Sequence, residues 1–175
     1  MLEAYRQHVA ERAALGIPPL PLSPQQTEQL VGLLRNPPKG EEQTLVDLIT
    51  HRVPAGVDDA AKIKAEFLDK VAKGAEACAL ISREKAAELL GTMLGGFNVK
   101  PLIELLGDAK VGGVAAEGLK KTLLVFDFDK EGIEEFVEEN GIEFHRLGVN
   151  LIRTLLDALP AKSPDQETRP FPAAE

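Results

Sequence analysis

Leu30-Val31-Gly32-Leu33-Leu34, a Pro/Gly turn, then Leu45-Val46-Asp47-Leu48-Ile49: this arrangement returns later in the chain as Leu89-Leu90-Gly91-Thr92-Met93, a Gly turn, then Leu102-Ile103-Glu104-Leu105-Leu106. The two spacings differ by two residues, so the echo is a degenerate helix-pair repeat. A unit of this kind cannot bury its apolar face alone and stacks on its neighbours. It favours an all-α fold, a HEAT-like α-solenoid rather than a closed four-helix bundle.

Helix signals continue on both sides of these blocks. Leu2, Tyr5, Val9 and Ala13 recur at steps of three and four, with Gly16 as the C-terminal cap and Pro18-Pro19 beyond it. Ser23-Pro24 is a helix start, with the hydroxyl at the N-cap and Pro at the first helical position, and Asn36-Pro37-Pro38 is the stop. A helix over 41–51 carries Leu45, Leu48 and Ile49. Asp58 caps one carrying Ile63, Phe67, Leu68 and Val71 as far as Gly74. Ser82 caps the next, with Ala86, Leu89, Leu90 and Met93 inward, until Gly95-Gly96 breaks it. Asn98 is the expected N-cap of a short helix over 101–106, and a further helix spans 115–125. The pattern continues with a short acidic helix over 133–139 and a longer one over 144–159. That makes about eight or nine short antiparallel helices, without the period-2 alternation of strands. From Pro160 the sequence PAKSPDQETRPFPAAE has four prolines and few apolar residues, so the expected division is a helical domain at 1–159 and a Pro-rich tail at 160–175.

Composition fits this reading. The chain has 175 residues, 44% hydrophobic and only 5% aromatic, so its core is built from Leu, Val, Ile and Ala. The formal charge is −8, and no Lys/Arg block offers a phosphate backbone a landing site, which argues against nucleic acid. Between Asp127 and Glu143, eight acidic residues and one Lys supply −7 of that total. The single cysteine, Cys78, excludes a disulfide framework, a cysteine zinc site and an iron–sulfur cluster held by several cysteines of this chain. No apolar stretch approaches the ~20 residues that span a bilayer, and the first residues lack a long apolar secretory core. The expected location is the cytoplasm.

Few constellations carry chemistry. His8, His51 and His145 fall on different helices without a ligand partner at i+3 or i+4. Cys78 lies in a small-residue loop without an adjacent base. Asp127, Asp129, Glu131, Gly132 and Glu138 repeat the spacing of a calcium loop at positions 1, 3, 5, 6 and 12. Position 8 is Glu134 instead of an apolar residue and no second loop follows, so the expected role is an acidic loop before an acidic helix. Catalytic, cofactor-binding and metal-ligating residues are therefore assigned to none. Interaction is assigned to Glu134, Glu135, Glu138 and Glu139, whose charge selects a basic partner surface. A structural role falls to the connection through Gly91, Gly95, Gly96 and Asn98, where glycine permits positive φ and close backbone approach.

MLEAYRQHVAERAA at 1–14, NPPKGEE at 36–42, RVPAGVD at 52–58, AELLGTMLGGFN at 87–98 and TLLVFD at 122–127 share their order and spacing with one family. Together they resemble the start of bacterial aconitase B, over residues 1 to about 127; beyond Asp127 the likeness fades. The resemblance implies a HEAT-like domain set ahead of catalytic domains that hold a four-iron–four-sulfur cluster on three cysteines and interconvert citrate and isocitrate in the tricarboxylic acid cycle. It further implies protein–protein contacts, dimerisation and shaping of access to the active-site cleft. One cysteine cannot hold that cluster, so no cofactor is expected in this chain. The expected function is a non-catalytic interaction or assembly module. Its partners would be aconitase catalytic domains, another metabolic enzyme or a second copy, with no membrane. The divergent end favours a separately encoded relative; the alternatives are an N-terminal fragment of a full aconitase and a metal-binding protein using 127–143.

Overall fold

The computed structural model describes residues 1–122. Among them are seven α-helices and no strand: α1 Leu2–Ala14, α2 Pro24–Arg35, α3 Glu42–His51, α4 Asp59–Lys73, α5 Arg83–Gly91, α6 Val99–Glu104 and α7 Gly112–Lys120. None is long and apolar enough to cross a membrane. The segments expected at 133–139 and 144–159, the domain boundary at 159 and the tail lie outside the described residues.

Most helix ends follow local chemistry. At the end of α1, Gly16 takes φ 70°, and the amides of Gly16 and Ile17 reach back to the carbonyls of Ala13 and Arg12 at 3.0 and 3.1 Å. The same pattern closes α4, where Gly74 has φ 77° and Ala75 N–H donates to Lys70 O at 2.9 Å. Ser23 and Gln26 form a reciprocal capping box at the start of α2, with Pro24 at the first helical position. Asp58 and Ser82 cap α4 and α5 through the amides of Ala60 and Lys85.

Three expectations are corrected. α5 stops at Gly91, two residues before Met93; the amides of Thr92 and Met93 turn to the carbonyls of Leu89 and Leu90, tightening the last turn. α7 begins at Gly112 rather than 115, because Asp108 Oδ1 accepts from the amides of Lys110 and Val111 and Asp108 O accepts from Gly112 N–H, leading the chain straight into the helix. Asn98 stands at the N-cap position of α6, yet its backbone is already helical (φ −91°) and its side chain makes no cap.

The core follows the apolar stripes. α4 lies between α2 and α5, burying Ala60, Ala61, Ala65, Phe67, Leu68, Val71 and Ala72. Four alanines on that face let the neighbouring helices approach closely. α3 packs on α2 through Leu45, Leu48 and Ile49, and α5 carries the packing on to α6 and α7. α1 is different. Only Tyr5 is buried; Leu2 and Val9 are half-buried and Ala13 is exposed. Polar ties hold it instead. Arg52 donates to the Tyr5 hydroxyl at 2.7 Å and to the carbonyls of Pro19 and Leu20, while His8 Nε2 accepts from Leu20 N–H at 3.0 Å.

Ion pairs join elements distant in sequence: Arg6 with Glu41, Arg35 with Glu76, Lys73 with Glu104, and Lys110 with Glu84. Arg83 bridges two elements at once. Its Nε donates to Ala72 O at the end of α4 and its Nη2 to Asp108 in the turn before α7.

Candidate functional site

The connection from α5 to α6 is the most constrained part of the described chain. Leu94, Gly95 and Gly96 take φ values of 67°, 129° and 75° in succession, a left-handed run that glycine enters freely and leucine does not. Asn98 holds the run from inside. It is fully buried, its Oδ1 accepts from Gly95 N–H at 3.1 Å, and its Nδ2 donates to Leu90 O at 2.8 Å. One side chain thus ties the loop to the last turn of α5, as a second donor to a carbonyl that also accepts from Met93 N–H.

A second loop locks onto the first. Gly56 N–H donates to Met93 O at 3.1 Å. A Cβ built on Gly96 would lie 3.0 Å from Gly56 O and 3.1 Å from Val57 Cγ1, so the two backbones pass at glycine distance. Val57 and Leu94 both point outward, 57% and 44% exposed. The 52–58 stretch contains this partner loop, but no sequence periodicity links residues forty positions apart.

Gly91, the last residue of α5, lies against α7. A Cβ there would come within 2.7 Å of Gly118 Cα, and one on Gly118 within 2.9 Å of Gly91 Cα. Above this crossing runs an open groove of about 690 Å³ lined by Ser82, Glu88, Thr92, Glu117 and Lys121 among others. Its charged rim and open shape offer no enclosed seat for a small molecule.

The remaining candidates are scattered. His51 is exposed, His8 serves the Leu20 amide, and Cys78 is half-buried with Sγ 3.6 Å from Leu34 O. Among the described residues no three His, Cys, Asp or Glu side chains gather as metal ligands. Three cysteines are needed for the cluster implied by the resemblance and this chain has one, so its donors do not fit the group. His145, the calcium-like spacing at 127–138, and Glu134, Glu135, Glu138 and Glu139 lie outside the described residues. Sequence reading missed one group entirely: Lys64 of α4 is 3% exposed, and burial pushes its pKa down to about 8.

The family described as "Aconitate B N-terminal domain" matches residues 4–145. The chain belongs to that family. It is 60% identical over 127 residues to aconitate hydratase B of Pseudomonas aeruginosa and 59% over 127 residues to that of Escherichia coli; each match covers 73% of this chain and 15% of the relative. The Helicobacter pylori protein of the same name is 46% identical over 132 residues, 74% of this chain and 15% of its own. The chain thus spans about 15% of the length of these curated relatives. The aconitase B N-terminal domain family is the one the five sequence stretches resemble, and 54–58 and 91–98 both fall inside the matched span.

Proposed function

We propose that this chain is a non-catalytic, cytoplasmic assembly module of aconitase B-type enzymes, whose helices stack as HEAT-like pairs and whose partner is the catalytic part of such an enzyme. The observation that carries this reading is the match itself: high identity to aconitate hydratase B confined to about 15% of the relatives' length. A module of that share acts on citrate and isocitrate only through the portion it joins, since Cys78 alone cannot anchor the cluster expected there. The order of packing, α3 on α2, α2 on α4, α4 on α5 and α5 on α7, supports a stack that exposes helix ends and loops for contact. The acidic 127–143 segment tunes the rate and choice of partner more than the affinity.

The test has two arms. The isolated chain, reconstituted anaerobically with iron and sulfide, is expected to stay colourless and inactive on citrate. The Pseudomonas aeruginosa enzyme carrying residues 1–127 of this chain in place of its own is expected to fold and remain active. A brown, cluster-bearing isolated chain, or a folded chimera without activity beside an active parent enzyme, would overturn the proposal.

A further inference from the structure

Pro18-Pro19-Leu20-Pro21, a strap in the loop from α1 to α2, has a single backbone donor, because proline carries no N–H. That donor is Leu20 N–H, and it donates to Nε2 of His8 on α1 at 3.0 Å. Three carbonyls of the same strap are held from outside it. Pro18 O accepts from Arg12 Nε at 2.9 Å, Pro19 O from Arg52 Nη2, and Leu20 O from Arg52 Nη2 at 3.1 Å and the Tyr5 hydroxyl at 3.4 Å. Burial contributes little here: Pro18, Leu20 and Pro21 are exposed and Pro19 is half-buried. Hydrogen bonds therefore hold the strap against α1, a helix that itself buries only Tyr5.

One of these bonds differs from the rest. A guanidinium keeps its protons and a phenol its hydroxyl throughout the neutral range, whereas an imidazole gains a proton between about pH 5 and 8. Nε2 of His8 accepts only while the neutral ring carries its hydrogen on Nδ1. Once protonated, both ring nitrogens are donors, so no flip of the ring restores an acceptor and two donors face each other at Leu20. The titratable and charged groups around it are Tyr5, Glu11 and Arg12 one turn away on α1, with Glu11 engaged by Gln7, and Arg52 at the end of α3. The Tyr5 ring lies beside the imidazole, centroids 6.1 Å apart. The strap carries no charge of its own, so a protonated ring adds a third cation to the two guanidinium groups that grip it.

We propose that His8 is a pH-sensitive latch: as a neutral acceptor it closes the 18–21 strap on α1, and on taking a proton it releases the strap. The release is bounded on both sides. Ile17 N–H donates to Arg12 O at 3.1 Å, and Leu22, 1% exposed, donates its N–H to Arg52 O at 2.8 Å. The latch goes beyond the assembly reading and does not depend on it.

NMR of the full chain tests it. At about pH 8 the His8 ring nitrogens are expected to show the neutral Nδ1–H tautomer. Between about pH 8 and 5, exchange protection of Leu20 N–H, corrected for the intrinsic pH dependence of exchange, is expected to fall at least about fivefold along the His8 titration curve, while Leu22 N–H keeps its protection. His8→Phe, which has no acceptor, should hold Leu20 at the low-pH level throughout, and His51→Gln should leave the pH response unchanged. An Nε2–H tautomer at the upper pH, Leu20 protection that stays level while His8 titrates, or a response that survives His8→Phe would overturn the proposal. A response lost in His51→Gln assigns the proton to His51 and overturns it too. Should His8→Phe fail to fold, the tautomer and the shared titration of His8 and Leu20 in the parent chain decide the question.

Discussion

Lys64 offers the sharpest physical test. It sits in the middle of α4, 3% exposed, and no hydrogen bond or ion pair among the described residues compensates its charge. Burial lowers its pKa from 10.5 to about 8. At about 1.36 kcal/mol per pKa unit, holding the ammonium in this site costs ~3 kcal/mol at neutral pH. The sign follows from proton counting. Between pH 8 and 10.5 the unfolded chain keeps a proton that the native chain has released, so stability rises with pH through that window and the cost is constant below it. Lys64→Met preserves most of the volume and removes the charge. It should stabilise the chain by ~2–3 kcal/mol at pH 7, an upward Tm shift of about 4–12 °C at this chain length. Urea unfolding at pH 7, 8, 9 and 10 supplies the assay, since the other titrating groups are common to both proteins and cancel. The gap between variant and parent should shrink as pH passes from 8 to 10. A destabilised Lys64→Met, or a gain unchanged across that range, would refute the reasoning.

Gly91→Ala drives a Cβ into the Gly118 backbone at 2.7 Å and should cost ~1–3 kcal/mol, whereas Gly32→Ala, on an open face of α2, should gain ~0.5–1 kcal/mol; thermal melts of both separate close approach from helix propensity. Gly96→Val meets both positive φ and Gly56 O at 3.0 Å, and should lower stability by ~1–3 kcal/mol in urea titration. Asn98→Ala leaves Gly95 N–H without its buried partner and takes one of two donors from Leu90 O, and should cost ~1–3 kcal/mol, again read from urea unfolding. Hydrogen bonding to Arg83 holds the Asp108 carboxyl below its ordinary 3.8. Its contribution is therefore present above that pH and lost as acid titrates the folded group. Asp108→Asn should be less stable than the parent at pH 7, with the difference closing below pH 3.8 in melts monitored by circular dichroism.

What the sequence determined by itself is the set of helices and most of their ends. Ser23 with Gln26, Asp58, Ser82, Gly16 and Gly74 act on amides and carbonyls within five residues, so their chemistry is complete in the local string. The apolar stripes of α2, α3 and α4 were legible for the same reason. Asn98 shows where local reading ends. An Asn before an apolar run reads as an N-cap, but its amide finds Leu90 O and Gly95 N–H only when the chain doubles back. Lys64 stands four residues before Leu68 and seven before Val71, on the same stripe, but a lysine is read as solvent-facing by its type, and only the helices packed on both sides of α4 show that the position is buried. Gly91 against Gly118, and Gly56 against Gly96, pair residues far apart in the chain. Glycines carry no side-chain pattern that marks a partner. Only the packing of helices decides which backbones must pass within a Cβ's width.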